Sequence, residues 1–212
     1  MRPATTTTSR FVKALRAEVD GTERARLIAA MAEALTARPL PAVTVEDVAA
    51  RAGLPRAVFF QHFADVQDCF LATYEACAEL LRAQTTAAVL GGAGLPYEER
   101  IALGVRAYLE TLASDPGLAR AFLRDVGAAG PEALRRRRAV NEEFAAMIRV
   151  LAEQHADELP DGYAVHPEMA RELVEALEEL VLLSIDGDRA QDLPRLTDTA
   201  TRMIHAALVV GD

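Results

Sequence analysis

Arg56, Gln61 and His62 fall within one seven-residue segment, and their side chains suit nucleic-acid recognition. A guanidinium can grip guanine through two parallel hydrogen bonds, and a carboxamide can pair with adenine. An imidazole can donate to phosphate, and near neutral pH it offers a hydrogen bond before a charge. Each side chain could equally face only water, so what positions them decides the reading. The segment 44–63, TVEDVAARAGLPRAVFFQHF, reads as two short helices around a tight turn. Thr44 can cap the first, with Asp47 three residues on completing a capping box. Its hydroxyl could also meet a phosphate. Gly53 supplies a backbone conformation that a Cβ resists, and Pro55 suits a position just inside the second helix. Leu54, Val58, Phe59 and Phe63 recur at helical spacing as an inward face. Arg56, Ala57, Phe60, Gln61 and His62 are left outward.

Other chemistries find little support. No paired acids, Ser-His-Asp set or glycine-rich phosphate loop after a strand occurs, so no catalytic residue is expected. The acidic pairs, such as Glu98-Glu99 and Glu142-Glu143, read as solvated helix faces. Cys69 and Cys77 stand eight apart in a helical pattern and read as buried thiols; neither a metal nor a cofactor is expected. No signal-peptide core or membrane-length apolar run is present, which predicts a soluble cytoplasmic protein without a membrane partner.

The chain of 212 residues is 51% hydrophobic but only 5% aromatic, a composition suited to packed helices. Its net charge of −9 is uneven: residues 1–63 carry nine Lys/Arg against six Asp/Glu, and residues 64–212 fourteen against twenty-six. A weakly basic head on an acidic body fits a small nucleic-acid reader joined to a domain with another task.

The expected fold is all-α, with about nine helices: an N-terminal three-helix helix-turn-helix domain, then a helical bundle. Residues 1–21 read as a flexible arm and short leading helix (Phe11, Leu15, Val19), 22–66 as the helix-turn-helix domain, and 67–212 as the second domain. Apolar spacing predicts helices over about 23–37, 67–89, 97–113, 131–157, 168–186 and 193–209. Between them, GGAGLP, SDPG and GAAGP act as breakers. The run Arg135 to Arg138 circles its helix instead of forming a stripe.

The pattern T-V-x-D-V-A-x-x-A-G-L from Thr44 to Leu54, followed by F-F-Q-H-F, resembles the TetR family of bacterial transcriptional regulators. Over about residues 22–72 the resemblance implies DNA-binding roles for Thr44, Pro55, Arg56, Ala57, Phe60, Gln61 and His62. For the whole chain it implies a homodimer on a palindromic double-stranded DNA operator, released when a small molecule occupies the second domain. There are departures. The recognition helix holds Pro55, Ala57-Val58 and Phe60 where the family often has Ser or Thr, Gly-Thr and Tyr. Val66 stands where a phosphate-touching Lys is common. Arg10, Lys13, Arg24 and Arg51 are alternative sources of backbone contacts. A helical dimeric interaction protein with weakened or lost DNA binding is the alternative.

In the second domain, Tyr74, Tyr108, Phe122, Phe144 and Met147 could enclose a cavity for a mainly apolar effector or simply fill a core. Arg106, Glu143 and His155 could add polarity. Two apolar-to-small faces are expected to pair the protomers: Leu173, Leu177, Leu180, Val181 and Ser184 on one helix, and Ala200, Ile204 and Ala207 on the next. Either helix could instead complete the core of one chain. Glu175, Glu178 and Glu179, between the stripes, should stay at the rim or in solvent, because burying them unpaired is costly.

Overall fold

A computed structural model describes residues 10–18, 21–158 and 166–209, and every regular element among them is helical. Helix α1 (Arg10–Glu18) buries Phe11 and Leu15; Val19 lies outside the described residues. Helix α2 (Glu23–Ala37) is capped by the Thr22 hydroxyl, which accepts from the Ala25 N–H. Its buried Leu27, Ile28, Met31 and Leu35 form the centre of the head. Helices α3 (Val45–Ala52) and α4 (Arg56–His62) cross over them, joined at Gly53.

Helix α5 (Val66–Gly91) starts in the head at the Asp65 cap and runs unbroken for 26 residues into the body. There α6 (Tyr97–Ala113) lies along it. The chain then makes the short α7 (Pro116–Arg120), a wide π turn over Ala121–Asp125 and the single turn α8 (Val126–Ala128). Helix α9 (Gly130–Glu153) and α10 (Pro167–Asp186) pack together. Helix α11 (Thr197–Val209) returns onto α6. The last helix starts later than its apolar spacing predicts. Residues Ala190–Leu196 form a tighter 3-10 stretch instead, as Pro194 has no N–H to give an α-helix. Likewise α9 ends at Glu153, which leaves His155 in the turn beyond it.

Head and body share one continuous apolar core, and the joint is polar and tight. The Thr36 hydroxyl at the end of α2 donates to the buried Asp115 carboxylate (2.8 Å), whose other oxygen caps α7 by accepting from the Leu118 N–H (3.0 Å). The Leu40 N–H donates to Asp125 (3.1 Å). Gly117 sits against the Thr36 backbone so closely that a Cβ would lie 2.3 Å from its carbonyl oxygen. Gly117→Ala is therefore expected to destabilise the fold by about 1–3 kcal/mol, the usual cost of overpacking. Thermal unfolding measures this, and an unchanged melting temperature would contradict the close approach.

Candidate functional site

Thr44 forms the expected capping box. Its hydroxyl accepts from the Asp47 N–H (3.2 Å), while its own N–H (3.1 Å) and hydroxyl (2.8 Å) donate to the Asp47 carboxylate. Those bonds, with Arg38 and Arg51 nearby, hold the Asp47 carboxyl below the ordinary carboxylate range. The hydroxyl is thus engaged in holding α3. Gly53 takes the left-handed conformation (φ 64°) that closes the helix. Pro55 differs from expectation: it precedes α4 instead of entering it, with extended ψ of 147°. Phe59 and Phe63 are buried, Leu54 and Val58 half-buried. The resulting exposed face of α4 carries Arg56, Ala57, Phe60 and Gln61.

Two of the expected contact residues already have partners. The Arg56 guanidinium meets Glu46 of α3 (2.9 Å) and lies over the Phe60 ring (5.1 Å from its centre). Phe60 is 48% exposed and braced edge-on by Phe59. An exposed ion pair contributes little to stability, so Arg56 can exchange Glu46 for a phosphate or base at small cost. His62 is half-buried, with Nε2 3.4 Å from Glu23 of α2, so its ring is turned towards the head's own surface. Val66 is half-buried against the core at the start of α5. Among the other basic residues, Arg10, Lys13 and Arg24 are exposed, Arg24 over the Phe63 ring (5.3 Å). Arg51 reaches back to Asp47. Glu46 was not singled out from sequence; its position in the first turn of α3 gives only a helix-start signal.

In the body, Tyr108, Phe144 and Met147 line a cavity of about 70 Å³ between α5, α6, α9, α10 and α11. Val89, Tyr97, Ile101, Leu151 and Val174 complete much of its wall. The lining is apolar apart from the hydroxyls of Thr85, Tyr97 and Tyr108, and Thr85 donates its own to Leu81 (2.8 Å). Tyr74 and Phe122 are not part of this wall. They stack on one another in the core with ring centres 4.4 Å apart. Typical small-molecule sites measure about 300–1,000 Å³, so a ligand here must push helices or side chains apart as it enters. Arg106 is exposed, and Glu143 pairs with Arg82. Both cysteines are buried, and burial pushes each thiol up to about 12, which leaves them unreactive.

The pairing faces expected on the last two helices need correction. Val181, Ala200 and Ile204 are buried within a single chain, as is Leu173. Leu177 and Ile204 line the cavity. These side chains already fill one protomer and cannot also face another. Leu180 and Ser184 are half-buried, and the Ala207 side chain lies outside the described residues. The apolar groups that α10 does present are Met169 and Leu183, the latter 56% exposed. With Ala176 and Leu180 they recur over 169, 176, 180 and 183, one helical face. Glu178 also departs from expectation. It is only 4% exposed, and α9 supplies its partners: Arg137 donates to it at 2.7 Å and the Asn141 amide adds a further bond. The arginine run divides accordingly, with Arg135 and Arg136 pairing with Glu132, Arg136 also with Glu75, and Arg137 turning inward.

Residues 27–73 match the family model of bacterial regulatory proteins, tetR family. No curated protein matches the chain by sequence. Among solved structures, the fatty acid degradation regulator FadR from Bacillus halodurans superposes with a TM-score of 0.75 at 14% identity, over 88% of this chain and 96% of that one. FadR from Bacillus subtilis, in complex with stearoyl-CoA, gives 0.73 at 16% identity, over 88% and 98%. A TetR-family transcriptional regulator from Streptomyces coelicolor gives 0.67 at 19% identity, over 95% and 96%. Residues 27–73 of the head thus resemble the tetR-family regulatory module, and the chain as a whole shares the fold of these solved regulators.

Proposed function

We propose that this protein is a ligand-responsive transcriptional repressor, acting in the cytoplasm as a homodimer on a palindromic operator. One observation carries the reading: the capped α3, the left-handed Gly53 turn and α4 form a helix-turn-helix whose exposed face holds Arg56, Ala57, Phe60 and Gln61. Placed in a major groove, the first turn of α4 brings Arg56 to base edges, while Thr44 and Pro55 flank the phosphate backbone. His62 contributes after leaving Glu23. Two heads related by a two-fold axis read half-sites about 34 Å apart, paired through the face of Met169, Ala176, Leu180 and Leu183.

The effector is a small, mainly apolar molecule entering the cavity walled by Tyr108, Phe144 and Met147. The stearoyl-CoA complex of the Bacillus subtilis FadR supports an apolar ligand in a body of this fold. Helix α6 provides a physical route to the head. Its middle forms the cavity wall, and the chain beyond it reaches Asp115, which holds Thr36 of α2. A ligand releases the operator only if it binds more tightly when the heads are misplaced for DNA.

Arg56→Ala is expected to weaken operator binding by about 1–3 kcal/mol while leaving the dimer intact, the range for one lost bidentate base contact. Titrations of operator and unrelated DNA across salt concentrations test it. A uniform loss with a shallower salt slope assigns Arg56 to phosphate instead. Unchanged binding on both DNAs would remove Arg56 from the interface.

A further inference from the structure

Arg100 of α6 is 8% exposed, yet among the described residues its guanidinium meets a carbonyl and an imidazole and no carboxylate. Buried arginines ordinarily sit opposite an acid, because an uncompensated charge in the interior is costly. Among the described residues the partners of Arg100 are neutral. Its Nε donates to the Val89 carbonyl (3.4 Å), near the end of α5, and an Nη donates to Nε2 of His155. The donor must be the arginine. His155 Nδ1 lies 2.9 Å from the Leu151 carbonyl oxygen, which can only accept, so Nδ1 carries the ring proton and Nε2 is a lone pair. The imidazole is thus a neutral placeholder for one prong of the guanidinium.

The position of this group is as informative as its charge. Val89, Tyr97, Ile101 and Leu151, the residues that contact or flank Arg100 and His155, all form the wall of the apolar cavity. The Tyr97 ring lies against the His155 ring, with centres 5.6 Å apart. The apolar pocket therefore ends beside a buried cation whose fork suits an oxyanion. The side near Tyr108 is different: there the half-buried Arg137 is answered by the buried Glu178 carboxylate.

We propose that Arg100 receives the anionic head of an amphiphile whose tail occupies the cavity, the oxyanion replacing His155 Nε2 as acceptor. This rests on the effector reading above and specifies it: the ligand is a carboxylate or phosphate monoester on an aliphatic chain. The cavity of about 70 Å³ must widen to admit the tail, so short eight-carbon chains are the probes that ask least of it.

Calorimetric titration of the full-length protein with octanoate, octyl phosphate and octanol tests the assignment, alongside operator release by each. The wild type is expected to bind an anionic member about 10- to 100-fold more tightly than octanol, the range for hydrogen bonds to a charged group. Whichever of octanoate and octyl phosphate binds better identifies the head. Arg100→Met should abolish the preference while leaving octanol binding in place, and Arg100→Lys should keep part of it. If Arg100→Met fails to fold, the wild-type comparison still decides. Octanol binding as tightly as either anion would overturn the proposal while leaving an apolar effector standing. No binding by any of the three overturns it as well. Loss of sequence-selective DNA binding would instead strike the repressor reading, since the calorimetric preference is read without DNA.

Discussion

Arg137→Met is expected to destabilise the protein by about 3–5 kcal/mol at neutral pH, the cost of leaving a buried charge without its partner. For a chain of this size that lowers the melting temperature by about 10 °C. Glu178 is the reason. Burial raises its carboxyl above the ordinary value of 4.5, and the bonds from Arg137 and Asn141 offset this only in part. The folded form therefore holds the Glu178 proton more tightly than the unfolded chain does. Its contribution to stability is complete below pH 4.5 and declines as pH rises through the raised folded value. Removing Arg137 pushes that value higher and extends the decline upward. The loss should thus be larger at pH 8 than at pH 5 in urea unfolding. An equal loss at both would mean that Arg137 acts through packing alone. The double variant Arg137→Met with Glu178→Met should recover most of the stability, because no buried carboxylate is then left without its partner.

Leu180→Asp combined with Leu183→Asp is expected to convert a dimer to monomers and to weaken operator binding sharply. Both positions lie on the outward face of α10, so a carboxylate there stays solvated in the monomer but is buried opposite its symmetry mate in a dimer. Folding should survive, with helical content unchanged. Ile204→Asp, by contrast, should unfold the body, since Ile204 is buried within one chain. Sedimentation across a concentration series separates the two effects. A dimer that survives the α10 substitutions would place the interface elsewhere.

The head was legible because its signals are local. A cap, its acid three residues on, a glycine turn and a proline sit within twenty residues, and each acts on the backbone beside it. The bundle was legible as helices but not as faces. On α10, Leu173, Val174, Leu177, Val181 and Ile185 turn inward or line the cavity, while Met169, Leu180 and Leu183 turn out. Apolar side chains thus occupy two sides of that helix, and spacing alone merged them into one stripe. The remaining departures are non-local. Glu178 can be buried because Arg137, 41 residues away, meets it. Arg56 is held by Glu46 from another helix, and Arg100 by His155 across 55 residues. Tyr74 and Phe122 have the same helical periodicity as Tyr108 and Phe144, but stack on each other away from the cavity. No periodicity distinguishes a residue that fills a core from one that lines a gap in it.

Selection of genomic DNA fragments by the purified full-length protein, followed by titration of the enriched sequence, tests the central claim most directly. Enrichment of an inverted repeat with half-sites about one duplex turn apart, bound far more tightly than unrelated DNA at the same salt, is the predicted result. Folded dimeric protein that binds no sequence selectively even at low salt would contradict it, and would favour a helical interaction protein that has lost DNA recognition.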